Sequence, residues 1–186
     1  MNGGVDLVAI VTISGHPGSG TSTLVDGLCE SLNWGKLNGG QVFRDMANQR
    51  EMTLEEFGQF CIQDESVDKE LDDLLSQTMQ SEDSPEIVES RLAGWWAYKS
   101  GLECARVWVE VSENERAKRV VNREGGSIEA QVDLIRERME YDAERYLRFY
   151  EIDIESREPY TCVIESDDMR PEEVLAVVRR HLEEYV

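Results

Sequence analysis

Val8-Ala9-Ile10-Val11-Thr12-Ile13-Ser14, running into Gly15-His16-Pro17-Gly18-Ser19-Gly20-Thr21-Ser22-Thr23, is the stretch on which the fold turns. The first seven residues are largely apolar and β-branched, the pattern of a buried strand. Leu24, Val25, Leu28 and Leu32 then recur at helical steps, so the glycine-rich segment joins a strand to a helix. In that context the pattern G-x-x-x-x-G-K-[ST] cradles phosphates. Gly15 and Gly20 keep its spacing and Ser22 holds its magnesium-binding hydroxyl position, whereas Thr21 stands where the pattern has lysine. Backbone N–H groups at a helix N-terminus attract a polyphosphate without that side-chain charge. Residues 14–23 are therefore expected to wrap the phosphates of a nucleotide. A merely tight turn needs one glycine; Gly15, Gly18 and Gly20 are three.

Outward from this loop the elements alternate. Helix signals at Phe43 and Met46 follow Asn38-Gly39-Gly40, and Thr53-Leu54-Glu55-Glu56 reads as a capping box opening a helix through Phe57 and Phe60. Val67, Leu71, Leu74 and Leu75 continue the helical period. Pro85 precedes a strand-like Glu86-Ile87-Val88-Glu89, and residues 105–111 alternate as a second clear strand. Ser112 caps the helix after it. Ser127 opens a long helix through Ile128, Val132, Ile135, Met139, Ala143, Tyr146 and Tyr150. Residues 161–164 form a last strand, and Pro171 starts the final helix. Strands separated by helices predict an α/β, three-layer fold around a parallel sheet of about five strands. At 186 residues, one domain spanning 1–186 is expected.

Composition narrows the function. With 39 acidic against 19 basic residues the formal net charge is −20, which argues against a nucleic-acid partner bound through a broad basic surface. Only Lys36, Lys69, Lys99 and Lys118 are lysine. A large acidic excess with little lysine is what a halophilic archaeal protein, kept soluble in concentrated salt, would carry. Cys29, Cys61, Cys104 and Cys162 are far apart and fit reduced thiols. No run approaches eighteen apolar residues and no leader pattern is visible, so a soluble, cytoplasmic protein without a membrane partner is expected.

Several further motifs sit at matching places along the chain. They are Gly39-Gly40-Gln41-Val42-Phe43-Arg44, Met52-Thr53-Leu54-Glu55-Glu56-Phe57, Val67-Asp68-Lys69-Glu70-Leu71-Asp72 and Glu89-Ser90-Arg91-Leu92-Ala93-Gly94-Trp95. Residues 116–126, Glu144-Arg145-Tyr146 and Tyr150-Glu151-Ile152-Asp153-Ile154 complete the set. From about residue 8 to residue 180 the chain resembles the archaeal type of cytidylate kinase, a small P-loop nucleoside-monophosphate kinase. The resemblance implies ATP and Mg²⁺ as donor and cofactor, and phosphoryl transfer to a nucleoside monophosphate, CMP or dCMP above all. It also implies a monomer with a helical lid over about residues 116–150.

Phosphoryl transfer gathers negative charge, so positioning and cations carry it. The resemblance assigns Arg44, Arg91, Asp68 and Glu89 to the acceptor, where a guanidinium can grip two oxygens. It assigns Arg123, Arg138 and Arg145 to the transferring phosphate, with Thr21 at the lysine position, Gly15, His16, Pro17, Gly18, Ser19, Gly20, Thr21, Ser22 and Thr23 around the nucleotide, and Ser22 on the metal. Arg116, Arg119 and Arg123 are spaced three and four apart and are expected to form one stripe. Trp95, Trp96, Tyr146, Phe149 and Tyr150 are expected to pack. Two other readings stay open: a catalytically weak nucleotide sensor, favoured by Thr21, and a kinase for another small metabolite.

Overall fold

The β-branched run at the centre of the opening stretch forms strand β1 (Val11–Gly15), buried almost throughout. The structure, a computed structural model, describes residues 9–53, 56–57, 60–61 and 65–186, without the side chains of Glu65 and Asp68. Helix α1 (Thr21–Leu32) follows the loop, then β2 (Lys36–Asn38), α2 (Gly39–Gln49) and α3 (Glu65–Met79). The second half comprises β3 (Ile87–Glu89), α4 (Ala93–Lys99), β4 (Ala105–Glu110), α5 (Glu113–Glu124), α6 (Ile128–Tyr150), β5 (Cys162–Glu165) and α7 (Pro171–Leu182).

The five strands pair in the order β2-β3-β1-β4-β5 and every pairing is parallel. Strand β1 is central, with β3 on one side and β4 on the other. The crevice beyond the carboxyl end of such a strand is where open α/β sheets bind ligands. Helices α1 and α7 cover one face, where Leu24, Val25, Leu28, Val174 and Val178 meet Val11, Ile13, Val107 and Val109. Met79, Ala93 and Ala97 cover Val88 on the other, and Trp95, Trp108, Tyr146 and Ile152 extend that layer. Helices α2 and α3 share a separate small core of Met46, Ala47, Phe57, Cys61 and Val67.

The local signals explain the boundaries. Ser112 and Ser127 accept from the N–H groups of Glu115 and Ala130, capping α5 and α6. Thr53 and Glu56 exchange bonds as a capping box does, with Leu54 and Glu55 outside the described residues. Strand β2 has no counterpart among the strands read from sequence. Three residues at a sheet edge, one exposed and two half-buried, are too few to display a period.

Among the described residues no helix is long and apolar enough to cross a membrane. The acidic excess leaves many carboxylates unscreened at low ionic strength. Thermal midpoints measured across potassium chloride concentration are therefore expected to climb with salt. A flat or falling series would remove the case for salt adaptation.

Candidate active site

The loop after β1 is built by its glycines. A Cβ on Gly15 would stand 2.5 Å from Ser19 Oγ and 3.0 Å from the Val109 carbonyl oxygen. Gly18 and Gly20 take φ of 84° and 89°, a region that favours glycine. Gly20 is the N-cap of α1, no side chain caps that helix, and its first turn carries no acidic residue. The leading N–H groups of α1 are thus left for an external anion. A cavity of about 520 Å³ opens there, lined by residues 18–24, by Arg119 and Arg123 of α5, and by Arg170.

Gly15, His16 and Pro17 do not line this cavity, and the His16 side chain turns away from it. Its imidazole is buried edge-on against Trp108, 4.9 Å between ring centres, with Nε2 3.1 Å from Glu155 Oε1. Burial holds its pKa below the ordinary histidine value. Only the backbone of this residue serves the loop: its carbonyl accepts from Ser19 N–H at 3.0 Å.

The α5 arginines diverge, which corrects the expectation that Arg116, Arg119 and Arg123 form one stripe. Arg116 is 3% exposed and donates from Nε to the Val111 carbonyl, 3.1 Å away, so it is a structural strut between loop and helix. Arg119 donates to the carbonyls of Ser19 (3.1 Å) and Ser166 (2.7 Å), clamping the phosphate loop to the end of β5. Arg123 reaches solvent at the cavity rim, its side chain 69% exposed and paired with Glu124. Steps of three and four on one helix put their Cα atoms on one face; the long side chains end where their neighbours lie.

Across the loop, Ser22 Oγ donates to Glu89 Oε1 at 3.1 Å. Glu89 closes β3, is 7% exposed, and accepts on its other oxygen from Asn38 Nδ2. Two residues on, Arg91 forms an ion pair with Asp142 of α6, and Arg145 Nη2 lies 3.4 Å from the same carboxylate. The Arg145 guanidinium also stacks 4.6 Å over the Tyr146 ring. Burial, with Arg138 and Arg145 pushing the same way, lowers the pKa of Arg91 to about 10, leaving it charged at neutral pH. Burial lowers that of Arg138 as well. Three guanidinium groups therefore converge beside the end of β3. Asp142 offsets only part of that charge, so a further anion is favoured there.

Arg138 and Arg145 thus gather with Arg91, and Arg123 stands apart at the rim of the loop cavity. Arg44 is exposed on α2, its guanidinium on Gln41 of the same helix at 2.9 Å. Asp68 belongs to α3, but its side chain lies outside the described residues. The sequence reading missed Asp142 and Asn38. Arg138-x-x-x-Asp142-x-x-Arg145 keeps one helix face and could have flagged the first. An Asn directly before two glycines at a helix start could have flagged the second.

Among the described residues no three His, Cys, Asp or Glu side chains cluster as a metal cage. Ser22 and Glu89 instead offer hard oxygen donors beside a free helix N-terminus. That set fits a Mg²⁺ ion, which is held by one or two protein oxygens together with phosphates and water.

The AAA domain family model matches residues 11–140. A cytidylate kinase of Natronomonas pharaonis is 36% identical over 176 residues, 95% of this chain and 90% of that protein. A cytidylate kinase of Thermococcus kodakarensis is 36% identical over 170 residues, 91% of this chain and 86% of that protein. Among solved structures, the shikimate kinase of Bacteroides thetaiotaomicron superposes with a TM-score of 0.61 at 14% identity, covering 94% of this chain and 98% of that one. At that identity the likeness speaks for the fold alone.

Proposed function

The chain belongs to the archaeal cytidylate kinase family, and from that membership and the two halves of the site we propose that it transfers the γ-phosphoryl group of ATP to a nucleoside monophosphate, CMP or dCMP in preference to others. The observation that carries this reading is the junction at Glu89. One carboxylate joins the hydroxyl of the donor loop to the segment bearing Arg91, so the donor loop and the acceptor arginine flank one point.

In this reading an acceptor phosphate oxygen attacks the γ-phosphorus in line. The bond from that phosphorus to the β–γ bridging oxygen breaks and ADP leaves, without a covalent enzyme intermediate. The loop N–H groups hold the donor phosphates. Arg91 and Arg44 orient the acceptor phosphate, and Asp68 lies on the acceptor-side helix. Arg138 and Arg145, with Arg123 from the lid over about residues 116–150, meet the charge that develops in transfer. Ser22 and Glu89 would hold Mg²⁺, which supplies neutralising charge on the donor phosphates. Thr21 contributes no charge, so the arginines carry what a loop lysine would. The whole chain acts as one cytoplasmic unit, a monomer.

The test is ADP formation from Mg·ATP in molar potassium chloride, with CMP, dCMP, UMP, AMP and GMP offered in turn. CMP and dCMP are expected to give the highest kcat/KM. Thr21 favours a second reading, a nucleotide sensor. ATP binding with no monophosphate-dependent ADP above background would establish that reading instead.

A further inference from the structure

We propose that Asn38 is a positioning residue that sets the Glu89 carboxylate and the acceptor helix α2 with one side-chain amide. The inference rests on the phosphoryl-transfer reading above and names a residue outside its motifs. Asn38 ends β2 and pairs in register with Glu89 on β3, so the two residues are neighbours in the sheet. Its side chain is used at both ends. Oδ1 accepts from Gln41 N–H at 2.8 Å, capping α2, and Nδ2 donates to Glu89 Oε2.

The amide orientation follows from these partners. Turned over, it would set an acceptor against a carboxylate and a donor against an N–H. Glu89 meanwhile accepts from Ser22 Oγ on its first oxygen. A continuous path thus runs from the donor loop through Ser22, Glu89 and Asn38 to the first turn of α2, the helix that carries Arg44. The path is tight. A Cβ on Gly39 would stand 3.0 Å from Ser90 Cβ and 3.4 Å from the Glu89 carbonyl oxygen, so α2 begins pressed against the end of β3. A carboxylate with one oxygen on the Ser22 hydroxyl and the other pinned by an amide has little rotational freedom. Groups behind a metal's ligands that orient them in this way govern affinity as the ligands do.

The two functions of the amide can be separated. Asn38→Ser keeps a good N-cap for α2 but is too short to cap and reach Glu89 together. Asn38→Ala removes both. Three quantities are measured on the full chain: the thermal midpoint, Mn²⁺ affinity in the presence of ADP by electron paramagnetic resonance, and the steady-state constants. Asn38→Ser is expected to keep the parental midpoint and the KM for CMP. Its Mn²⁺ affinity and its kcat should each fall by about tenfold or more, the range seen for groups that orient metal ligands. Asn38→Ala should add a lower midpoint and a raised KM for CMP. Parental Mn²⁺ affinity in Asn38→Ser would overturn the inference, as would a midpoint as low as that of Asn38→Ala. A parent that binds Mn·ADP yet turns over no monophosphate would overturn the kinase reading alone, because the Mn²⁺ comparison still decides the role of Asn38. A parent that fails to bind Mn·ADP overturns both.

Discussion

Arg91→Ala is expected to lower kcat/KM for the monophosphate by about two to three decades, the loss found when a preorganised donor to transferring charge is removed. The guanidinium comes from the segment just beyond β3 and lies half-buried beside two further arginines. In so shielded a place a bidentate grip on a phosphate is stronger than on an open surface. The same substitution strips Asp142 of its ion-pair partner and leaves a buried carboxylate with Arg145 at 3.4 Å. Breaking a buried pair from one side costs about 3–5 kcal/mol in general; the remaining arginine should soften that figure. The two effects separate in the double variant Arg91→Ala/Asp142→Asn. Its thermal midpoint should recover toward the parent while its rate stays low. Arg91→Lys keeps the charge without the fork and should fall between parent and alanine variant. Steady-state ADP formation with CMP and thermal melts provide both readouts. A kcat/KM within threefold of the parent in Arg91→Ala would remove Arg91 from the acceptor grip.

Gly18→Val should abolish useful ATP binding. At φ of 84° a β-branched residue is strained, and its Cβ would meet the Arg116 carbonyl oxygen at 2.9 Å and Arg116 Cβ at 3.2 Å. Arg116 is a buried strut and cannot retreat, so the loop must move and its N–H groups lose their aim. Losing two hydrogen bonds to a charged phosphate, at about 1.5–3 kcal/mol each, is on the order of a hundredfold or more in affinity. Gly101→Ala is the matched control. It has φ of 69° but nothing within 4 Å of the added carbon, and it is remote from the loop in sequence and fold. Calorimetric titration with ATP should therefore find near-parental affinity in Gly101→Ala and none measurable in Gly18→Val. Equal affinities in the two variants would show that loop geometry is not what binds the nucleotide.

How far the chain alone speaks depends on whether a feature is local. The strand–loop–helix unit, the serine caps at Ser112 and Ser127 and the start of α7 at Pro171 each depend on residues within a few positions of one another. Such features are written in spacing and period, and all were legible. So was the parallel α/β order, because each strand is separated from the next by helix. Motif resemblance likewise brought Glu89 and Arg91 forward.

The tertiary structure decided where long side chains end and what they meet. Ser22 finds Glu89 at a separation of 67 residues, and Arg119 reaches the Ser19 carbonyl across 100. No periodicity encodes such meetings, since sheet order β2-β3-β1-β4-β5 alone brings β3 and β4 to the two sides of β1. That is why a single arginine stripe on α5 became a buried strut, a loop clamp and a rim cation. It is also why the His16 side chain is buried against Trp108. Sequence determined which residue types the site has to hand. Packing decided which of them share a charge, because a guanidinium or carboxylate settles wherever its desolvation is offset by a partner, and that partner is chosen by the fold.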